Sequence, residues 1–219
     1  MNARGITHIV WDWNGTLFCD SELVVQATCE TFAALGLPPL TAEQYRSSYT
    51  HPVGAFYERV LGRPVPAGEL ATINQLFHDA YHRRIDECAL TPGAADVLTA
   101  WQRRGGSQSL LSLYAHDRLV PLVGRLGLAG VFVRVDGRHE ALPGLKAEHM
   151  VAHLREIGVP GECTLVVGDT VDDAHAAAQA GARCLLHAGG QQTREVLASA
   201  GVPVVERLAD VLVHVDRAA

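Results

Sequence analysis

The chain has 219 residues, is 48% hydrophobic and carries a formal net charge of -6; its apolar content is enough to fill the core of one large domain or of a domain with an insert, and its apolar runs stay far below the ~20 residues that cross a bilayer. With no basic cluster beyond arginine pairs such as Arg103-Arg104, it lacks the positive stripe that a nucleic-acid binder needs. Its five cysteines (Cys19, Cys29, Cys88, Cys163 and Cys184) show no C-x-x-C spacing, so neither a disulfide framework nor a zinc site is indicated.

In chain order, "MNARGITHIV" passes directly into a strand pattern, without the basic start, apolar stretch and cleavage site of a signal peptide, so a cytoplasmic protein is expected. The first strand covers 7–13. From 19 to 89, "SELVVQATCETFAALGL", "TAEQYRSSYT", "VGAFYERVLG" and "AGELATINQLFHDAYHRRIDECAL" read as successive helices joined by short Gly/Pro loops, with no strand among them. Thr91-Pro92-Gly93 then marks a helix start, with Thr91 as cap and Pro92 in the first turn. Beyond it, strand-like runs at 108–113, 131–135, 163–168, 183–187 and, more weakly, 203–205 alternate with amphipathic stretches at 93–104, 116–127, 146–158, 172–181, 192–200 and 207–216. This is the pattern of an α/β fold with a parallel sheet. The helical block interrupts it as an insert: residues 1–18 and 90–219 form the core domain, and 19–89 form a helical domain hinged near 18–21 and 88–92.

In a parallel α/β sheet the carboxyl ends of the strands form the ligand crevice. Asp12, Asn14, Gly15 and Thr16 follow the first strand, and Ser112 ends the second. Lys146 precedes the helix after the third, and "GDTVDD", with Asp169, Asp172 and Asp173, follows the fourth. Taken singly, each has an ordinary reading as a turn or capping residue. Their order and shared placement argue for one site. Lys146 is also the only lysine among 18 basic residues.

These stretches resemble the motifs of the haloacid dehalogenase-like (HAD) hydrolase superfamily, in particular its phosphoglycolate-phosphatase-like branch. "DWNGTLF" is similar to the first motif, "LLS" ending at Ser112 to the second, the isolated Lys146 to the third and "VVGDTVDDAHAAAQAG" to the fourth. The helical block occupies the position of that family's cap. The resemblance covers nearly the whole chain, and it implies a Rossmann-like core, a mobile four-helix cap, and phosphoryl transfer through an aspartyl-phosphate with Mg²⁺.

On that reading Asp12 is the nucleophile, and it can attack a phosphate dianion only if positive charge sits across the transferring group. Mg²⁺ and Lys146 supply it, the ion held by Asp12, the main-chain carbonyl of Asn14 and Asp169. Asp173 is counted with these metal residues and is expected to orient that shell or the lysine. Ser112, Thr16 and the backbone N–H groups near Gly15 are expected to hold phosphoryl oxygens, and Asp172 to serve the start of a helix. The partner is a small phosphorylated metabolite, and the protein is expected to be a monomer or homodimer.

Asn14 departs from the family pattern, which places a second aspartate there to protonate the leaving alkoxide and activate water. An amide does not titrate, and general acid-base catalysis is typically worth about 10²–10⁴-fold. The substrate therefore has an acidic leaving group, or another group such as His51 or His116 substitutes, or the Asp12 nucleophile serves another electrophile, or the chain is a weakened binder of a phosphorylated ligand. A 2-haloacid dehalogenase also lacks the second aspartate but needs no metal, whereas Asp169 and Asp173 point to one. Asn14→Asp is expected to raise the turnover of alkyl phosphates. His51, in "SYTHPVGAF", is expected to help read the substrate from the cap.

Overall fold

The computed structural model of the chain describes residues 5–139 and 145–217. Within them one sheet contains β1 (His8–Trp11), β2 (Ser107–Ala115), β3 (Val135–Arg138), β4 (Thr164–Gly168), β5 (Arg183–His187) and β6 (Val204–Val205), in the order β3-β2-β1-β4-β5-β6. Every neighbouring pair is parallel. The fold is the expected α/β class with a Rossmann-like sheet. Strand order reverses at β1, which has β2 on one side and β4 on the other, so the crevice of the sheet opens beyond its carboxyl end.

Helices cover both faces, which is why β1, β4 and β5 carry unbroken apolar runs instead of alternating. On one face Ile9, Trp11 and Leu110 pack against α5 (Ala94–Arg103), α6 (His116–Arg125) and α10 (Val211–Arg217). On the other, Val10, Leu111, Val166 and Leu186 meet α7 (Lys146–Ile157), α8 (Val171–Gln179) and α9 (Arg194–Ala198). Buried polar groups cross the β1, β2 and β3 side: His8 lies between Ser107 Oγ (2.7 Å) and Ser109 Oγ (2.8 Å), and Ser109 Oγ is 2.7 Å from His153 Nε2. Asp136 Oδ2 accepts from His153 Nδ1 at 2.7 Å and from Arg134 Nε at 2.6 Å.

Between β1 and β2 the insert folds as α1 (Ser21–Ala34), α2 (Ala42–Ser48), α3 (Val53–Leu61) and α4 (Ala67–His82). These helices have a core of their own, built on Phe32, Tyr45, Phe56, Tyr57, Ile73 and Tyr81. The chain leaves and rejoins the α/β layer through adjacent segments, where Phe18 bridges Leu90 and Cys19 N–H donates to Ala89 O at 2.9 Å.

The third strand is displaced from its expected position at 131–135 to Val135–Arg138. Val131 and Phe132, just after a turn at Gly130 (φ 78), pack against the core instead, and ladder pairing starts where Val135 faces Leu110. An edge strand buries less than a central one, so "VDGR" carries little β signal. Thr91 does not cap α5 with its side chain. Gly93 takes the cap position at φ 83 and Thr91 contributes only its carbonyl, which accepts from Ala94 N–H at 2.9 Å. The expected helix 207–216 is split into a 3-10 turn at Leu208–Asp210 followed by α10.

Candidate active site

The loop after β1 is drawn tight by its own backbone. Asp12 N–H donates to Val167 O at 2.9 Å, which pins the aspartate between β1 and β4, while Phe18 N–H and Thr16 N–H both return to Trp13 O, at 2.9 and 3.2 Å. Gly15 sits at φ 72, and a Cβ there would stand 2.3 Å from Asp169 Oδ2. Glycine is required on both counts: for the left-handed backbone and for the approach of Asp169. Gly190 approaches the same oxygen, its notional Cβ at 2.1 Å.

Lys146 is the first residue of α7, and its Nζ lies 2.5 Å from Asp12 Oδ1 and 2.5 Å from Asp173 Oδ1. The second oxygen of Asp173 accepts from Thr170 N–H (3.0 Å) and Thr170 Oγ1 (2.7 Å), a capping arrangement at the start of α8. Asp169 accepts from Gln191 N–H (2.6 Å) and Thr16 Oγ1 (3.2 Å). All four charged groups are buried.

Three carboxylates stand against one ammonium, which leaves two negative charges uncompensated. Burial pushes Asp12 up to about 6 even with Lys146 beside it. Burial and then the neighbouring carboxylates push Asp169 far above the usual range. Asp173 moves the other way: burial raises it, but Lys146 and the two Thr170 hydrogen bonds together outweigh burial. The two aspartates likewise outweigh burial at Lys146 and hold it above its ordinary value. Asp12 and Asp169 are therefore short of positive charge, and Asp173 is not.

This donor set fits a hard divalent ion. Oxygens of Asp12, Asp169 and Asp173 lie within 4.8 Å of one another, and no donor among the described residues takes the Asn14 carbonyl. Asp173 gives one oxygen to Lys146 and the other to two Thr170 donors, which suits it to anchoring the lysine, whereas the oxygens of Asp169 take one donor each and, with Asp12 and the Asn14 carbonyl, keep lone pairs to offer.

A cavity of about 360 Å³ opens onto these groups, floored by Asp12, Asn14, Ser112, Lys146 and Asp169 and roofed from the cap by Tyr49, His51, Phe56 and Tyr81. Ser112 is buried, its Oγ accepting from Tyr114 N–H at 3.1 Å. His51 reaches the cavity with its Nε2 3.0 Å from the Tyr49 hydroxyl, and burial lowers its pKa. Asp172, in the first turn of α8 as expected, also lines the cavity.

Two expected phosphate contacts are not available. The Gly15 N–H is already engaged by Phe18 O and Asp20 Oδ1, both at 2.9 Å, and Thr16 turns its hydroxyl to Asp169. Both residues shape the loop and are absent from the cavity wall. His116 also lies off that wall, its Nδ1 accepting from Gly137 N–H at 3.2 Å.

Sequence reasoning missed Asp20, Tyr81 and Gln192. Asp20 reads as the cap of α1, yet its side chain makes no capping bond; it is fully buried and turned to the catalytic loop, where it accepts from Asn14 Nδ2 (2.7 Å) and the Tyr81 hydroxyl (2.6 Å). Burial raises its pKa. Gln192 joins the layers: its Nε2 donates to Tyr49 O at 2.8 Å and its Oε1 accepts from Val171 N–H at 2.7 Å.

Comparison with known proteins shows the family and the fold. The chain is 30% identical to phosphoglycolate phosphatase 1 of Pseudomonas aeruginosa, over 96% of this chain and 80% of that protein. Among solved structures, CbbY of Rhodobacter sphaeroides in complex with xylulose-(1,5)-bisphosphate is 25% identical with a TM-score of 0.72, covering 94% of this chain and 96% of that one. A haloacid dehalogenase-like family hydrolase from Streptococcus pneumoniae shares the fold at 20% identity, with a TM-score of 0.81 over 95% and 98% of the two chains. The family model for haloacid dehalogenase-like hydrolases matches residues 6–181, and the chain belongs to that family.

Proposed function

We propose that the protein is a Mg²⁺-dependent phosphatase that hydrolyses a small phosphate monoester through an aspartyl-phosphate on Asp12. The observation that carries this reading is Lys146 Nζ, buried at 2.5 Å from both Asp12 and Asp173 beneath a cavity of metabolite size. A dianionic phosphoryl group needs the ammonium of Lys146 together with a divalent ion at Asp12 and Asp169 to offset the carboxylates there, whereas carbon-halogen cleavage needs no metal. The names of the relatives, a phosphoglycolate phosphatase and a protein crystallised with a sugar bisphosphate, support a small phosphorylated acid or sugar as substrate.

In the first half-reaction an Asp12 oxygen bonds to phosphorus and the bond to the leaving oxygen breaks; in the second, water displaces Asp12 and phosphate departs. Lys146 neutralises phosphoryl charge in both, and Asp173 holds the lysine in place. Ser112 steadies a phosphoryl oxygen by hydrogen bonding. Asp12, Asp169 and the Asn14 carbonyl would hold Mg²⁺, whose charge offsets that of the phosphoryl group. Asn14 is no proton donor, so leaving groups of low basicity are favoured.

Assay of a phosphorylated-metabolite panel, with and without Mg²⁺, tests this. Activity is expected with the metal, lost on its removal and abolished in Asp12→Asn, with a phosphorylated Asp12 trapped by mass spectrometry. Full activity in Asp12→Asn would remove the mechanism.

A further inference from the structure

The side chain of Asn14 is held by two residues that lie outside the catalytic motifs. Asp20 offers only acceptors as a carboxylate, and it already takes the Gly15 N–H at Oδ1 (2.9 Å) and the Tyr81 hydroxyl at Oδ2 (2.6 Å). Asn14 must therefore present its NH₂ group, and Nδ2 donates to Asp20 Oδ2 at 2.7 Å and to the Tyr81 oxygen at 3.1 Å. Both contacts come from Nδ2, and the two acceptors lie 2.6 Å apart. Asn14 Oδ1 takes no hydrogen bond from the described residues, and Asn14 lines the cavity beside Asp12.

We propose that Asp20 and Tyr81 are positioning residues that lock the Asn14 amide with its carbonyl oxygen toward the cavity, where it orients the water that breaks the aspartyl-phosphate. This rests on the phosphatase reading above. The water oxygen bonds to phosphorus, the bond from phosphorus to the Asp12 oxygen breaks, and the proton that the water sheds leaves on the phosphate product. Asn14 Oδ1 accepts a hydrogen bond from the water and takes no proton. The lock spans three parts of the molecule: Asn14 on the core loop, Asp20 at the hinge and Tyr81 on α4 of the cap. Water is then oriented only while the cap is seated.

The same geometry revises what Asn14→Asp alone would do. It would set a second carboxylate against Asp20 at the 2.7 Å contact now made by an amide, with the single proton of the Tyr81 hydroxyl to serve both. The exchange of both residues, Asn14→Asp with Asp20→Asn, keeps one acid and one amide in the pair.

Rapid-quench kinetics with an aryl phosphate and Mg²⁺, on the full chain, separates the two half-reactions. Tyr81→Phe is expected to leave formation of the phosphoenzyme and kcat/KM nearly unchanged and to slow its hydrolysis by about tenfold, the value of one lost hydrogen bond, so that kcat and KM fall together and phosphorylated Asp12 accumulates. Asp20→Asn, whose amide no longer dictates the orientation of Asn14, is expected to slow the same step at least as much, and the double exchange to restore it. Phosphoenzyme hydrolysis at the wild-type rate in Tyr81→Phe, a variant that keeps the ring and its packing, would overturn the proposal even if Asp20→Asn fails to fold. A double exchange no faster than Asp20→Asn would also overturn it. Absence of any phosphoenzyme in the wild-type protein would instead remove the phosphatase reading, and this inference with it.

Discussion

Lys146 and Asp12 could be paired from sequence because each is the polar end of a strongly patterned element, and the sheet brings such ends together whatever the details of the loops. Asp20 could not. Its neighbours at the start of α1 suggest a helix cap, and only the tight turn at Gly15 swings the Asn14 amide and the Gly15 N–H onto it. That turn allows a sharp test. Gly15→Ala would meet a left-handed backbone costing about 1 kcal/mol and a Cβ 2.3 Å from Asp169 Oδ2. A lower melting temperature and a loss of about 10²-fold or more in Mg²⁺-dependent turnover are expected, since small displacements of reacting groups cost that much. Turnover close to wild type would show that Asp169 does not need its present position.

At the scale of elements, β1, β4 and β5 announced themselves as apolar runs because both faces of a central parallel strand are covered. The edge strand β3 did not, and its polar "VDGR" instead ends, at the half-buried Asp136, a chain of the buried residues His8, Ser109 and His153. That chain is structural. Ser109→Ala would leave His8 Nε2 and His153 Nε2 without their shared partner, a loss of about 1–3 kcal/mol by denaturant unfolding, with kcat unchanged. His8 also makes stability depend on pH. Burial, aided by His153, lowers its pKa from 6.5 to about 4, so between these values the unfolded chain binds a proton that the folded chain refuses. Stability contributed by the neutral imidazole is complete above about pH 6.5 and falls as the pH drops toward 4, by about 3 kcal/mol. Unfolding midpoints in a pH series on wild type and His8→Gln should show this slope in the first and a weaker one in the second.

At the scale of the whole molecule, the cap closes the cavity and contributes its aromatic roof. Tyr49, His51 and Phe56 lie in or beside the loop before α3, and Gln192 ties Tyr49 O to the start of α8. Substrate choice is therefore expected to reside in residues 48–56. Replacing this block with the matching segment of a relative that acts on another substrate should change the ratio of kcat/KM between a phosphorylated hydroxy acid and a sugar phosphate by tenfold or more. Phosphorylation of Asp12 by a small acyl phosphate, which does not reach the roof, should change by only a few-fold. An unchanged preference would place specificity in the core.

By itself the sequence determined the α/β class, the four helices of the insert and the alignment of Asp12, Ser112, Lys146 and Asp169 along one edge of the sheet. Hydrophobic periodicity and strand-end position are local properties, and a short window of residues contains them. Tertiary structure alone decided that Asp173 belongs to the lysine, that Gly15 and Thr16 serve Asp169, and that Asn14 answers to Asp20 and Tyr81. Each of these is a hydrogen bond or ion pair between groups whose directions depend on how loops and cap fold over one another, and no window along the chain holds both partners together with the backbone that aims them.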